Sequence, residues 1–189
     1  MYYKLDSEFP MTDDNTYFHI SDGVAIDGIA SWARGEPFTI TPPDPIVINI
    51  EKIGESDDPS LRPIAFNDAN LCIAIPAIVD ALIASGVNNI QSYPAVLRDV
   101  TTQQEYPYCA INIIGLIKAA DLSKSDWINL DGDARMDTVF LDLVLDTDKI
   151  RSYDLFRLYE DTGTIIISER VKKSLEHFPD LTFTPVSRK

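Results

Sequence analysis

Thr164-Ile165-Ile166-Ile167-Ser168-Glu169-Arg170-Val171-Lys172-Lys173-Ser174-Leu175-Glu176-His177-Phe178 changes its hydrophobic period partway along. The branched run at 164–167 suits a strand. From Glu169 to Phe178 the spacing predicts a short amphipathic helix, with Val171, Leu175 and Phe178 inward and Lys172, Lys173 and Glu176 outward. Ser168 is its natural N-cap and Pro179 its stop. Upstream, Leu155 to Tyr159 reads as a strand joined to the first through the hairpin turn Glu160-Asp161-Thr162-Gly163. Downstream the chain closes on Phe183-Thr184-Pro185-Val186. Strand, hairpin, strand, helix, strand is the order of an α+β fold, mostly antiparallel sheet covered by amphipathic helices.

The same plan occurs earlier. Ile75, Ile78, Val79, Leu82 and Ile83 fall at i, i+3, i+4, i+7 and i+8, which puts five apolar side chains on one helical face. Pro76 fits the first turn, where no N–H is needed, and Gly86 suits the left-handed residue past the end. The segment from Leu71 to Val96 thus echoes the one from Thr164 to Val186, with Ile78 aligned on Val171 and Leu82 on Leu175. This echo suggests two related strand–helix–strand units within one domain spanning residues 1–189.

Around these units the remaining elements are shorter. Tyr2 to Leu5 and Tyr17 to Ile20 read as strands, the second ending at the turn Ser21-Asp22-Gly23. Pro37, Pro42, Pro43 and Pro45 precede a strand at Ile46 to Ile50, and residues 1–65 as a whole are Pro-rich and irregular. Asn88 to Leu97 and Tyr106 to Ile117 predict a hairpin with a long loop. Trp127 to Leu130, the turn Asp131-Gly132-Asp133 and Thr138 to Asp146 predict another strand pair. In its second strand Val139, Leu141, Leu143 and Leu145 form a wholly apolar face, expected to be the buried one.

Charge narrows the range of partners. The net charge is −14, and it is uneven: residues 1–120 carry −10, 121–148 carry −6, and 149–189 carry +2. Such a balance repels phosphate backbones and anionic lipid, so nucleic acid and membrane are not expected partners; a basic protein is the natural complement. The densest acidic stretch also has a plain reading as a solvated face. The longest apolar runs, Ala69 to Val79 and Tyr106 to Ile117, are 11 and 12 residues, short of the roughly 20 that a spanning helix needs. The opening MYYKLDSEFP has no apolar core of a signal peptide, and a cytoplasmic location is expected. Cys72 and Cys109 lie in apolar segments and read as free, buried thiols.

No motif of a known chemistry is complete in the chain. His19 and His177 are the two histidines, too far apart in sequence for a helical zinc motif, and both read as surface residues. Gly23 to Gly28 has a phosphate-loop spacing, but Ile29 and Ala30 stand where Lys and Ser or Thr are required. Asp131, Asp133 and Asp137 resemble the start of a calcium loop, yet Arg135, Met136 and Asp142 occupy positions that need Asp or Asn, Gly and Glu, so a polar turn is expected there. No catalytic residue, metal site or cofactor is expected.

A family resemblance enters through Leu155-Phe156-Arg157-Leu158, Ile165-Ile166-Ile167-Ser168-Glu169-Arg170-Val171-Lys172, Leu175 and Phe183-Thr184-Pro185-Val186. With Tyr2-Tyr3-Lys4-Leu5 and Tyr108-Cys109-Ala110-Ile111-Asn112, these residues make the chain resemble the bacterial immunity-protein family numbered eleven. The agreement in order and spacing is closest over 155–186. The resemblance implies an antidote that protects its producer by binding a cognate secreted toxin, without chemistry of its own. One departure is that the first helix begins Ile75-Pro76 where the second has Ser168-Glu169, so only the second carries a capping oxygen.

For the toxin-contacting surface the expectation is Trp127 with Asp126, Asp131, Asp133 and Asp137, an aromatic anchor ringed by charge. Trp127 reads equally well as a core residue; Trp32, near Arg34, is a rival anchor. Two other classes compete with the antidote. A small hydrolase would need two carboxylates about 5 to 9 Å apart in a pocket. A structural scaffold would have no toxin partner.

Overall fold

A computed structural model describes residues 1–20, 26, 28, 29, 31–67, 71–129 and 138–188. The first half contains β1 (Tyr2–Ser7), β2 (Tyr17–Ile20), β3 (Ile46–Ile53), β4 (Phe66–Asn67), β5 (Ile73–Ala74), α1 (Pro76–Ala84), β6 (Ile90–Asp99) and β7 (Glu105–Ile113). The second contains β8 (Leu116–Ile117), β9 (Asp126–Ile128), β10 (Val139–Asp142), β11 (Val144–Leu145), α2 (Thr147–Ile150), β12 (Leu155–Leu158), β13 (Ile165–Ser168), α3 (Glu169–Leu175) and β14 (Leu181–Arg188). The fold is α+β, as the periodicities predict.

Two six-stranded sheets form, in the orders β2-β3-β6-β7-β5-β4 and β11-β14-β1-β13-β12-β8, with β9 and β10 as a separate two-stranded ribbon. Strand directions repeat between the sheets. β3 is parallel to β6, and β6, β7, β5 and β4 then alternate antiparallel. Likewise β11 is parallel to β14, and β14, β1, β13 and β12 alternate antiparallel. In each sheet a helix therefore links two parallel strands that flank one antiparallel strand: α1 joins β5 to β6 around β7, and α3 joins β13 to β14 around β1. The N-terminal strand holds in the second sheet the place that β7 holds in the first.

The helices and facing sheet surfaces share one core. Tyr3 and Leu5 of β1, Ile111 and Ile113 of β7, Ile165 and Ile167 of β13, Ile78 and Leu82 of α1, and Val171 and Leu175 of α3 are all buried in it. Each sheet also has an outer core. Ile46, Ile48 and Ile50 with Trp32 and Phe18 cover the first, while Phe156, Leu158, Ile166, Leu145 and Ile150 cover the second. A strand such as β13, apolar on both faces, is thus buried on both, with Ile166 facing away from Ile165 and Ile167. Asn89 rivets the sheets: its side-chain amide donates to the Ile114 carbonyl at 2.6 Å and to the Leu155 carbonyl at 2.9 Å.

Several expectations are corrected. The run from Tyr106 to Ile117 is two strands, because Gly115 at φ +130° turns the chain out of the first sheet and lets β8 join the second. The stretch from Thr138 to Asp146 is also two strands, β10 in the ribbon and β11 parallel to β14. On α1, Ile83 lies at the margin of the apolar stripe and is exposed, leaving Ile78, Val79 and Leu82 as the buried face. The last helix ends at Leu175, although Phe178 still packs on the core. Gly86 does take a positive φ of 90° past α1, and Ser168 does cap α3 by accepting from the Val171 amide, whereas α1 has no side-chain cap. α2, a single turn with buried Ile150, has no periodic signal in the sequence. The expected turn Ser21-Asp22-Gly23 lies outside the described residues, as do Asp131, Asp133 and Asp137.

Candidate functional site

The densest acidic stretch of the chain builds the β9–β10 ribbon. Its register pairs Val139 with Ile128, Phe140 with Trp127, and Asp142 with Asp126, leaving Leu141 as an extra residue in a bulge. Alternation then sorts the side chains. Phe140 packs against the outer core of the second sheet, and Trp127 beside it is half-buried, its indole N–H donating to the Leu122 carbonyl at 3.1 Å. On the other side stand Asp126, Ile128, Val139 and Asp142, and the bulge adds Leu141 to them. Ile128 is 53%, Val139 55% and Leu141 68% exposed.

This reverses the expectation that Val139 and Leu141 face the core. The four leucine and valine positions do not share one strand, so they do not share one face. The bulge at Leu141 and the break at Leu143 reset the alternation; Leu143 is half-buried and only Leu145 is fully buried.

A cleft of about 520 Å³ opens beside the ribbon on the outer face of the second sheet. Lys4, Thr164 and Thr184 line its sheet side, Thr138 to Leu143 its ribbon side, and Asp161 and Thr162 its end. Lys4 lies 4.0 Å from Asp6. The Asp161 carboxylate is occupied within its own turn, accepting from the Gly163 amide at 3.1 Å and from the Thr164 hydroxyl at 2.5 Å. Asp142 has no such donor among the described residues.

Beneath this end of the cleft lies a buried polar group. Glu160 is fully buried, its carbonyl accepts from the Thr138 amide at 3.0 Å, and no described donor meets hydrogen-bond geometry on its carboxylate oxygens. Burial pushes this carboxyl above its usual range, opposed by the nearby amides of Glu160 and Ala120 and by the charges of Lys118 and Lys149. Arg157, also buried, donates to the Thr162 carbonyl at 2.9 Å and so fixes the turn that forms the cleft's end.

Of the residues singled out from sequence, Asp126 stands exposed on the outer face of the ribbon and Trp127 backs it from the inner face. Trp32 is not an anchor: it is buried in the outer core of the first sheet, edge-on to Phe38 and Tyr93. Ile128, Val139, Leu141 and Asp142 share the exposed face with Asp126, and Lys4 lines the cleft, none of them singled out from the sequence. The antiphase of Phe140 within the apolar alternation was the signal that one of the two faces had to be solvent. His19 and His177 are exposed, and Cys72 and Cys109 are unbridged. Among the described residues no three His, Cys, Asp or Glu side chains converge on one point, and no helix is long and apolar enough to cross a membrane.

No curated protein matches the chain. The model of the Immunity protein family (Imm11) matches residues 93–186, from β6 to β14. That stretch holds α3 and five of the six strands of the second sheet, together with the ribbon. The sixth, β1, lies outside it in sequence but sits between β13 and β14 in space. Over residues 93–186, almost half of its length, the chain is thus similar to the Imm11 family of immunity proteins.

Proposed function

We propose that the chain is an antidote, which binds a cognate bacterial toxin in the cytosol and neutralises it by holding it in a protein–protein complex, without turnover. The observation that carries this reading is the match of residues 93–186 to a family of immunity proteins. The net charge of −14 supports a basic toxin, because complementary fields raise the association rate of such a pair. Asp126 and Trp127, with Asp131, Asp133 and Asp137, belong to the acidic segment proposed to meet it. A stable complex of this kind buries about 1,600 Å² in total.

Co-expression with a candidate toxin domain taken from a neighbouring gene tests the reading. Survival of the host together with co-purification of the two proteins is the expected result; a toxin that stays lethal overturns it. The association rate of the purified pair falls steeply between low and high salt if the charge steers the encounter. An unchanged rate would leave the acidic excess to solubility alone.

A further inference from the structure

The outward face of the ribbon is an unusual surface for a free protein. Ile128 and Val139 are directly paired across it, and the bulge holds Leu141 beside them, so three aliphatic side chains form one contiguous exposed row. Single exposed aliphatics need no explanation, and Ile83 on α1 is one of these. A contiguous row is different. Next to it Asp126 and Asp142 are paired directly across the two strands, a like-charge arrangement that weakens a sheet pair. Neither has an ion-pair partner among the described residues.

Resting on the reading of the chain as an antidote, we propose that this face, with the cleft beside it, is the docking surface for the toxin. Its occupant is a toxin surface with an apolar anchor flanked by lysine or arginine. The apolar part covers Ile128, Val139 and Leu141. A cation set against Asp126 and Asp142 relieves their repulsion, which a second copy of this acidic chain would double. The groove between α1 and α3 is a poorer fit: Glu169, Arg170 and Lys173 are its charged lining, more basic than acidic, which does not complement a basic partner. The cleft admits a side chain reaching past Leu141, where Lys4 already lies near Asp6.

Three variants measured against the toxin domain that the co-expression test identifies, by surface plasmon resonance and thermal melting, test the proposal. The pair Ile128→Ala with Leu141→Ala weakens binding by about tenfold or more, mainly through faster dissociation. The pair Asp126→Asn with Asp142→Asn slows association and flattens its salt dependence. Ile83→Ala changes neither rate; the two aliphatic variants melt with the parent protein because their altered side chains are exposed, and the Asp126→Asn, Asp142→Asn pair melts with it or slightly above, since it removes a like-charge pair. If the parent binds and both ribbon variants bind equally well, the docking surface lies elsewhere while the antidote reading stands. A parent chain that neither binds nor protects removes both. Self-association of the chain alone, abolished by the Ile128 and Leu141 substitutions, assigns the face to a second copy and overturns the proposal.

Discussion

Leu5→Ala should cost this protein about 3–4 kcal/mol, and the adjacent Lys4→Ala less than about 0.5 kcal/mol. Leu5 is 4% exposed and lies in the core shared by the two sheets, among Ile165, Ile167 and Leu181. Truncating it removes three buried carbon atoms. The strand carrying it is held on both sides, with Leu5 opposite Ile165 on β13 and opposite Phe183 on β14. A residue so fixed leaves a cavity that the surroundings cannot close, which puts the loss in the middle to upper part of the range of about 2–5 kcal/mol for such substitutions. The Lys4 side chain is 43% exposed and points to the opposite face, toward the cleft. For a chain of this size 1 kcal/mol moves the melting temperature by about 2–4 °C. Thermal melting should therefore fall by about 6–16 °C for Leu5→Ala and by about 2 °C or less for Lys4→Ala, with urea unfolding giving the free energies. A loss below about 1 kcal/mol for Leu5→Ala, or equal losses for the two, would refute the position of β1 at the centre of the second sheet.

Two further predictions concern buried carboxylates with opposite pH dependence. Because burial raises the Glu160 carboxyl, the folded chain holds that proton more tightly than the unfolded one; stability is lost as pH rises from the unfolded value through the folded one. Glu160→Gln should accordingly unfold at higher urea than the parent at pH 7, with the advantage shrinking toward pH 4; a constant difference would contradict the burial of this charge. For Asp99, burial alone would push the carboxyl up, but the Thr101 amide, the Thr102 hydroxyl and amide, and the charge of Lys52 outweigh it and hold it below the usual range. Its contribution is present above the unfolded value and lost as pH falls through the folded one, so Asp99→Asn should destabilise by about 1–3 kcal/mol at pH 7 and converge with the parent in acid. Parallel curves across that range would be the contrary result.

Elements whose signal is local were legible in the residues themselves. The change of period at Ser168 marks the junction of β13 and α3, and the oxygen that caps the helix is the one expected. The hairpin expected from Asn88 to Ile117 is present as β6 and β7, its turn held by Asp99 through donors two and three residues away. The candidate surface was legible only in part. Its acidic segment stands out in the sequence, and Asp126 does lie on the exposed face of the ribbon. The alternation around Val139 and Leu141 shows that the strand has two unlike faces, but it contains no information about which face meets a core.

The β13–α3 junction, the helix at 76–84, the strand–helix–strand order and the acidic segment were thus determined by the chain's own residues, because each rests on neighbours within a few positions. Tertiary structure alone decided three things: that an N-terminal strand completes a C-terminal sheet, that Gly115 sends one apolar run into two sheets, and that Trp32 is buried while Leu141 is bare. All three depend on which distant segment supplies the hydrogen-bonding edge and the apolar cover. A strand's register and its buried face belong to the pair, not to the strand.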